Sequence, residues 1–275
     1  MVNDENIIRL KKPDMFSLER TLDCGQAFRW ESDESGIFSG VAYGKVMRVK
    51  EEGDSLLFYG MKKDDVYGVF YRYLDLGRDY REITDRYNGD KYLSEAVRAC
   101  PGIRILRQEP WEALCSFIIS QNNNIPRIKG IIKRLCESFG EELESGMYTF
   151  PSPEVLSGKA PEDLALLRAG FRAKYIIDAA NKVSSGEIDF DKITDSPIEF
   201  GRQELQKIKG VGKKVAECTL LYGFGKYEAF PEDVWVKRIM AEMYPDGLPA
   251  CTKGSEGIAQ QYLFHWRRTV YRENL

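Results

Sequence analysis

Apolar residues recur along this chain in two rhythms. Over the first hundred positions they come in short runs of Val, Phe, Tyr and Met at residues 28–30, 37–49 and 56–59, punctuated by Gly25, Gly40, Gly44 and Gly53. That is the pattern of strands joined by tight turns. Residues 64–73 and 83–99 instead place residues such as Tyr87, Leu93 and Val97 at three-to-four spacing and predict helices. Pro101 and Gly102 mark a boundary, and beyond it the helical rhythm takes over. Residues 111–121 set Leu114, Phe117 and Ile118 on one side, a polar run at 121–124 interrupts, and 126–139 resumes with Ile128, Ile131, Ile132 and Leu135. Gly140 then fits a helix C-cap. Further helices are expected at 153–157, 161–169, 172–184, 198–207, 213–222, 234–243 and 257–271. The expected fold class is α+β, with an antiparallel β plus α domain over residues 1–100 and an all-helical region over 101–275.

Composition narrows the class without naming a function. The 275 residues are 43% hydrophobic and 30% charged, a globular balance that excludes fibrous and disordered chains. No stretch reaches the roughly 18 apolar residues of a membrane span. The start, MVNDENIIRLKK, lacks the basic-then-apolar order of a secretion signal. The expected setting is therefore intracellular, cytoplasmic and nucleoid-associated if the source is prokaryotic, with no membrane partner. The six cysteines, Cys24, Cys100, Cys115, Cys136, Cys218 and Cys251, never fall within ten residues of each other, which excludes zinc-knuckle and iron–sulfur spacing. A single histidine, His265, speaks against a His-rich metal site and a Ser-His-Asp triad. No metal ligand set is expected.

Net charge of −3 argues against a polyanionic partner until it is divided by segment. Residues 1–100 carry −3, 101–140 carry +3, 141–200 carry −6 and 201–275 carry +3. Residues 201–216 alone hold five Lys or Arg against one Glu. The basic charge is focused in two places, as a nucleic-acid-binding patch requires.

The sharper of these is Leu205-Gln-Lys-Ile-Lys-Gly210-Val-Gly212-Lys-Lys-Val-Ala216. A helix ends near Lys209, Gly210-Val211-Gly212 reverses the chain, and a second helix starts near Lys213. Val211 can tuck inward, Ile208 and Val215 pack the hairpin, and Ala216 lets the helices approach. The free amides at the second helix's start, with Lys209 and Lys213, then face any phosphate. An ordinary helical hairpin with solvated lysines accounts for the Gly-Val-Gly alone. The phased apolar, small and basic residues together favour DNA binding that is independent of base sequence.

This hairpin, followed by Phe230-Pro231-Glu232-Asp233-Val234, resembles the helix-hairpin-helix DNA glycosylases, and more closely their 8-oxoguanine DNA glycosylase/lyase branch of bacterial or archaeal type. The blocks Gly25-Gln-Ala-Phe-Arg-Trp30, Ser116-Phe-Ile-Ile-Ser-Gln-Asn-Asn-Asn-Ile125, Gly170-Phe-Arg-Ala-Lys-Tyr175 and Ala259-Gln-Gln-Tyr-Leu-Phe264 carry the closer likeness, in the family's order. What the resemblance implies is a base-excision enzyme that flips 8-oxoguanine out of double-stranded DNA opposite cytosine. It would remove the base through a lysine Schiff base and cleave the strand by β-elimination.

By that resemblance Lys214 is the nucleophile; the helix start and neighbouring Lys213 both disfavour a further positive charge there. Asp233 is the carboxylate that stabilises the sugar cation, a role compatible with capping the helix that follows. Gly25 supplies a carbonyl to the N7 proton that guanine lacks, and Gln260 reads the Watson–Crick edge. Phe264 and Cys218 sandwich the base. Asn122 enters the duplex, Arg127 and Arg172 read the opposite cytosine, and Phe171 is a wedge beside it. Lys209, Gly210, Val211, Gly212 and Lys213 form the phosphate hairpin. Two positions depart from the family pattern: Trp235 stands where relatives have a phosphate-contacting His, and Tyr222 where Met is common. No cofactor is required, although hairpin carbonyls near 207–212 are a candidate seat for a structural mono- or divalent cation. The protein is expected to act as a monomer. A glycosylase for another oxidised purine and a noncatalytic damage-binding module stay open as alternatives.

Overall fold

The computed structural model describes residues 7–144 and 146–270. Its first unit is a five-stranded antiparallel sheet of β1 (Ile7–Lys11), β2 (Glu31–Ser32), β3 (Phe38–Ala42), β4 (Lys45–Glu52) and β5 (Ser55–Tyr59), ordered β1-β5-β4-β3-β2. Ala42 pairs with Lys45 across a two-residue turn in which Tyr43 and Gly44 both have positive φ, the conformation that matches strand twist in a hairpin. Met47, Val49, Leu56 and Phe58 are fully buried on the inner face. Residues 28–30, expected as a strand, form a bend instead. Trp30 donates its indole N–H to Tyr73 at 2.7 Å and lies so close to Gly40 that a Cβ there would overlap its ring. Phe28 turns into a different core. The run is apolar because it passes between two cores, not because it alternates across a sheet.

Among the described residues eight helices run for eight residues or more: α1 (Lys91–Ala99), α2 (Pro110–Ser120), α3 (Ile125–Phe139), α4 (Ala173–Ser184), α5 (Ile198–Leu205), α6 (Lys213–Tyr222), α7 (Val234–Met243) and α8 (Glu256–Thr269). The helix expected at 83–99 is broken at Arg86–Gly89, and Asp90 caps α1 by accepting from the Tyr92 and Leu93 amides. The expected 64–73 helix contains a π-helical turn at Val66–Phe70, and the one expected at 161–169 is a 3-10 helix over Pro161–Leu167. The end of the helix expected to reach residue 271 lies outside the described residues. A small exposed hairpin, β6 (Glu142–Glu144) with β7 (Met147–Tyr148), has no apolar alternation to announce it. Gly140 ends α3 in extended backbone rather than the left-handed form; a Cβ there would strike the Thr149 carbonyl.

Apolar burial does not follow the chain boundary at Pro101. The larger core unites the helices yet includes Cys24, Phe28, Tyr80, Tyr87 and Leu93, while the sheet core takes in Leu106. At the middle of the larger core sits α6, buried at every position from Val215 to Tyr222. No helix is long and apolar enough to cross a membrane among the described residues.

Candidate active site

The hairpin between α5 and α6 folds as its residue types require. Ile208, Val211, Val215 and Ala216 are buried, and Gly210 has φ +80. Its missing side chain makes room for the Tyr175 ring of α4, which a Cβ would overlap. Gly212 instead faces open space at the α6 N-terminus, leaving the amides there accessible to an anion. Further support comes from α4: Asp178 accepts from the Lys209 amide at 2.7 Å, and Lys182 donates to the Lys207 carbonyl at 2.6 Å. Gly210→Ala should therefore weaken binding to undamaged duplex by about tenfold or more, since left-handed backbone alone costs about 1–2 kcal/mol with a Cβ present. Anisotropy titration measures this, and native affinity in that variant would refute the close packing on Tyr175.

Lys214, on the first turn of α6, turns inward. Its Nζ donates to Ser120 Oγ at 3.2 Å and lies 5.2 Å from the Phe117 ring centroid. Ser120 in turn donates to the Phe117 carbonyl at 2.8 Å. One turn along, burial pushes the Cys218 thiol up to about 11, against the pull of Lys214 and with a push from Asp233. The thiol is thus a neutral wall group at neutral pH.

Asp233 caps α7, accepting from the Val236 amide at 2.9 Å, so its carboxylate direction is fixed. The loop before it is fastened to α6 by Glu217, which is 1% exposed and accepts from the Phe230 amide at 2.7 Å and from Arg202 at 2.5 Å. Lys213 reaches Glu232 at 3.2 Å, linking hairpin and loop at the surface.

Of the residues expected to line the base pocket, Gly25 and Phe264 are neighbours. Gly25 has φ +88, and a Cβ on it would stand 3.9 Å from Phe264, 3.8 Å from Ile125 and 3.7 Å from Arg268. Arg268 also lies 5.1 Å from the Phe264 ring centroid. Gln260 is buried, and its Oε1 has no hydrogen-bond partner. A buried acceptor left unpaired costs about 1–3 kcal/mol, and Gln260 Oε1 is thus available to a ligand's donor.

Facing this pocket, the asparagine run divides its labour. Asn123 closes α2 by donating to the Ile119 carbonyl, and Asn124 caps α3 by accepting from the Arg127 amide. Asn122 is the exposed tip, with φ 47. Arg127 is exposed beside it, and Phe171 is 48% exposed. Arg172 is buried: it donates to the carbonyls of Gln121, Asn122 and Ala169, so in this state it holds the asparagine loop rather than reaching outward. Burial first, and then the like charge of Arg127, lowers its pKa from the usual guanidinium value. Phe171 packs edge-on against Tyr175 at 5.7 Å, which joins the wedge to the ring beneath Gly210.

Ser120, Ile125, Glu217, Gln261 and Arg268 were not singled out from sequence. Ser120, Ile125 and Gln261 stand in the motifs of the sequence, but nothing in the spacing of Ser120 distinguishes it from a helix-ending serine.

Comparison with known proteins identifies the family. Residues 7–114 match the model for the 8-oxoguanine DNA glycosylase N-terminal domain, and 115–247 match that of the HhH-GPD superfamily of base excision DNA repair proteins. An N-glycosylase/DNA lyase of Saccharomyces cerevisiae is 32% identical over 255 residues, covering 82% of this chain and 68% of the relative. A probable N-glycosylase/DNA lyase of Methanothermobacter thermautotrophicus is 34% identical over 57% of each chain. The 8-oxoguanine glycosylase/lyase of Clostridium acetobutylicum, solved in complex with double-stranded DNA containing cytosine opposite 8-oxoG, is 36% identical with a TM-score of 0.90, covering 100% of this chain and 99% of that one. With both domain models matched in order and a relative alike over nearly its whole length, the chain belongs to the 8-oxoguanine DNA glycosylase/lyase family of the helix-hairpin-helix superfamily.

Proposed function

We propose that this protein is a bifunctional base-excision glycosylase that removes 8-oxoguanine opposite cytosine from double-stranded DNA and then nicks the strand, working on DNA inside the cell. The observation that supports the reading is the Lys214 amine turned inward onto Ser120 and the Phe117 ring, one helical turn before the buried Cys218 thiol, in a protein whose buried Gln260 acceptor is unpaired.

In the proposed reaction the lesion swings into the pocket and the hairpin amides hold the backbone. The Gly25 carbonyl accepts a hydrogen bond from N7–H, and Gln260 Oε1 accepts from the N–H groups of the Watson–Crick edge. As the C1′–N9 bond breaks, its electron pair leaves with the purine, which takes up a proton. Asp233 stabilises the positive charge on the sugar, and the Lys214 lone pair forms the new bond to C1′. The sugar ring opens to an iminium, a 2′ proton is lost, and the 3′ phosphate departs. Water then releases the enzyme. Only groups of one copy of the chain and water are called upon. A cation on the hairpin carbonyls would compete with Lys182 for the Lys207 oxygen.

A duplex with one 8-oxoguanine opposite dC, incubated with the native protein, should release the free base, cut the strand and, with borohydride, leave a covalent protein–DNA adduct. Binding without release would favour a damage-binding module. Faster release of a different oxidised purine would move the substrate assignment.

A further inference from the structure

Tyr222 closes α6 and is buried. Its hydroxyl donates to Gln261 Oε1 at 2.6 Å, and Gln261 Nε2 donates to the Cys24 carbonyl at 3.3 Å. The Tyr222 carbonyl accepts from the Gln108 amide at 2.8 Å, and the Gln108 side chain donates to the Gln26 carbonyl at 2.7 Å. The peptide that precedes Gly25 and the peptide that follows Gln26 are therefore both tied back to one residue, on either side of the Gly25 carbonyl. The Gln26 side chain adds a third anchor, donating to the Thr21 and Arg104 carbonyls and accepting from the Leu106 amide.

These ties matter because of where they lie. Residues 23–30 are outside regular helix or strand, so no ladder fixes their peptide planes. Gly25 at φ +88 has little torsional resistance of its own. Telling an N7–H from a bare N7 rests on one acceptor held to within about 0.5 Å. A loop with a glycine at its centre needs that accuracy supplied from outside.

The same tyrosine also touches the reacting side. Its ring stacks on Phe117 at 5.2 Å with a 20° interplanar angle, and Phe117 is the ring beneath the Lys214 amine. Burial holds the Tyr222 hydroxyl well above the ordinary phenol range, so it remains a proton donor throughout the working range of pH.

We propose that Tyr222 and Gln261 are positioning residues that anchor the Cys24–Gly25 peptide and so set the Gly25 carbonyl, one peptide on, in the register that distinguishes an N7-protonated purine from guanine. The proposal rests on the glycosylase reading above and deepens it: Gly25 supplies the reading atom, and the hydroxyl–amide relay sets where that atom stands.

The test is a double-mutant cycle with Tyr222→Phe, Gln261→Leu and the pair, together with Gln261→Glu, which keeps the acceptor for Tyr222 but loses the donor to Cys24. Two readouts are compared. One is the affinity ratio for duplexes carrying 2′-fluoro-8-oxoguanosine or 2′-fluoroguanosine opposite dC. The other is borohydride trapping on a preformed abasic site, which needs Lys214 and no base. Each single variant should lower the ratio about tenfold through weaker lesion binding, the scale of a small displacement in a site. The pair should do no worse than either single, because the relay acts as a unit. Abasic trapping should stay within about twofold of native.

A ratio unchanged in Tyr222→Phe and Gln261→Glu overturns the proposal. So does a parallel loss of both readouts, the mark of a packing role alone. A native protein with no lesion preference overturns the functional reading itself and with it the relay, and is told apart because the ratio is near one before any substitution.

Discussion

Lys214→Gln should give a folded protein that binds duplex DNA with native affinity and forms no borohydride-stable adduct. The glutamine amide can still donate to Ser120 Oγ, so the inward rotamer and the packing on Phe117 have a replacement partner. The lone pair that attacks C1′ is gone. Removing a covalent nucleophile costs on the order of 10⁴–10⁶ in rate, which is roughly 5–8 kcal/mol of transition-state stabilisation. Single-turnover base release and adduct formation measure the loss, and equilibrium binding to an uncleavable duplex provides the reference. The outcome that would unseat the assignment is an adduct in native yield. The nucleophile would then be another amine on this face, with Lys213, 73% exposed and ion-paired to Glu232, the first to examine.

Asp233→Asn separates two roles that one carboxylate holds. Asn is about as good an N-cap as Asp, so the bond to the Val236 amide survives and stability changes little. Charge at the sugar is lost, and removing one such electrostatic contact in an enclosed site costs about 10²–10³ in rate. Asp233→Ala should add a stability loss of about 1 kcal/mol to the same rate defect. Single-turnover excision and thermal melting of the two variants side by side read the separation. If the Asn variant excises at the native rate, Asp233 is a cap alone.

The helical half was legible because its rhythm is strong and its ends are punctuated. The 213–222 and 234–243 segments fall where the apolar spacing, Gly212 and Asp233 put them. The front half was less so. The apolar run 28–30 serves two cores, and a period-two reading cannot tell that from a strand. The five-residue helix Leu18–Leu22 is too short to show any period.

In the site, the residues with unusual chemistry or backbone were visible, while their supports were not. Ser120, Glu217 and Gln261 act through hydrogen bonds to groups 13 to 237 residues away, and no local spacing encodes such partners. Arg172 shows the opposite limit. Its place in the Gly-Phe-Arg block is evident in the sequence, but only coordinates reveal that its guanidinium is engaged by three carbonyls of its own chain.

The bond between Gln261 and Cys24 closes a span of 237 residues. During synthesis at about 5–20 residues per second, the 50 positions from Lys214 to Phe264 take roughly 3–10 s to add. Through that interval Gly25 and the hairpin have been made, yet Gln261 and Phe264, which reach back to the Gly25 loop, have not. A chain that stalled before α8 would lack the Gln261 tie to Cys24 and also Ile258, Tyr262 and Trp266 of the larger core, so the order of translation makes the final helix complete the core and close the Gly25 loop in one step.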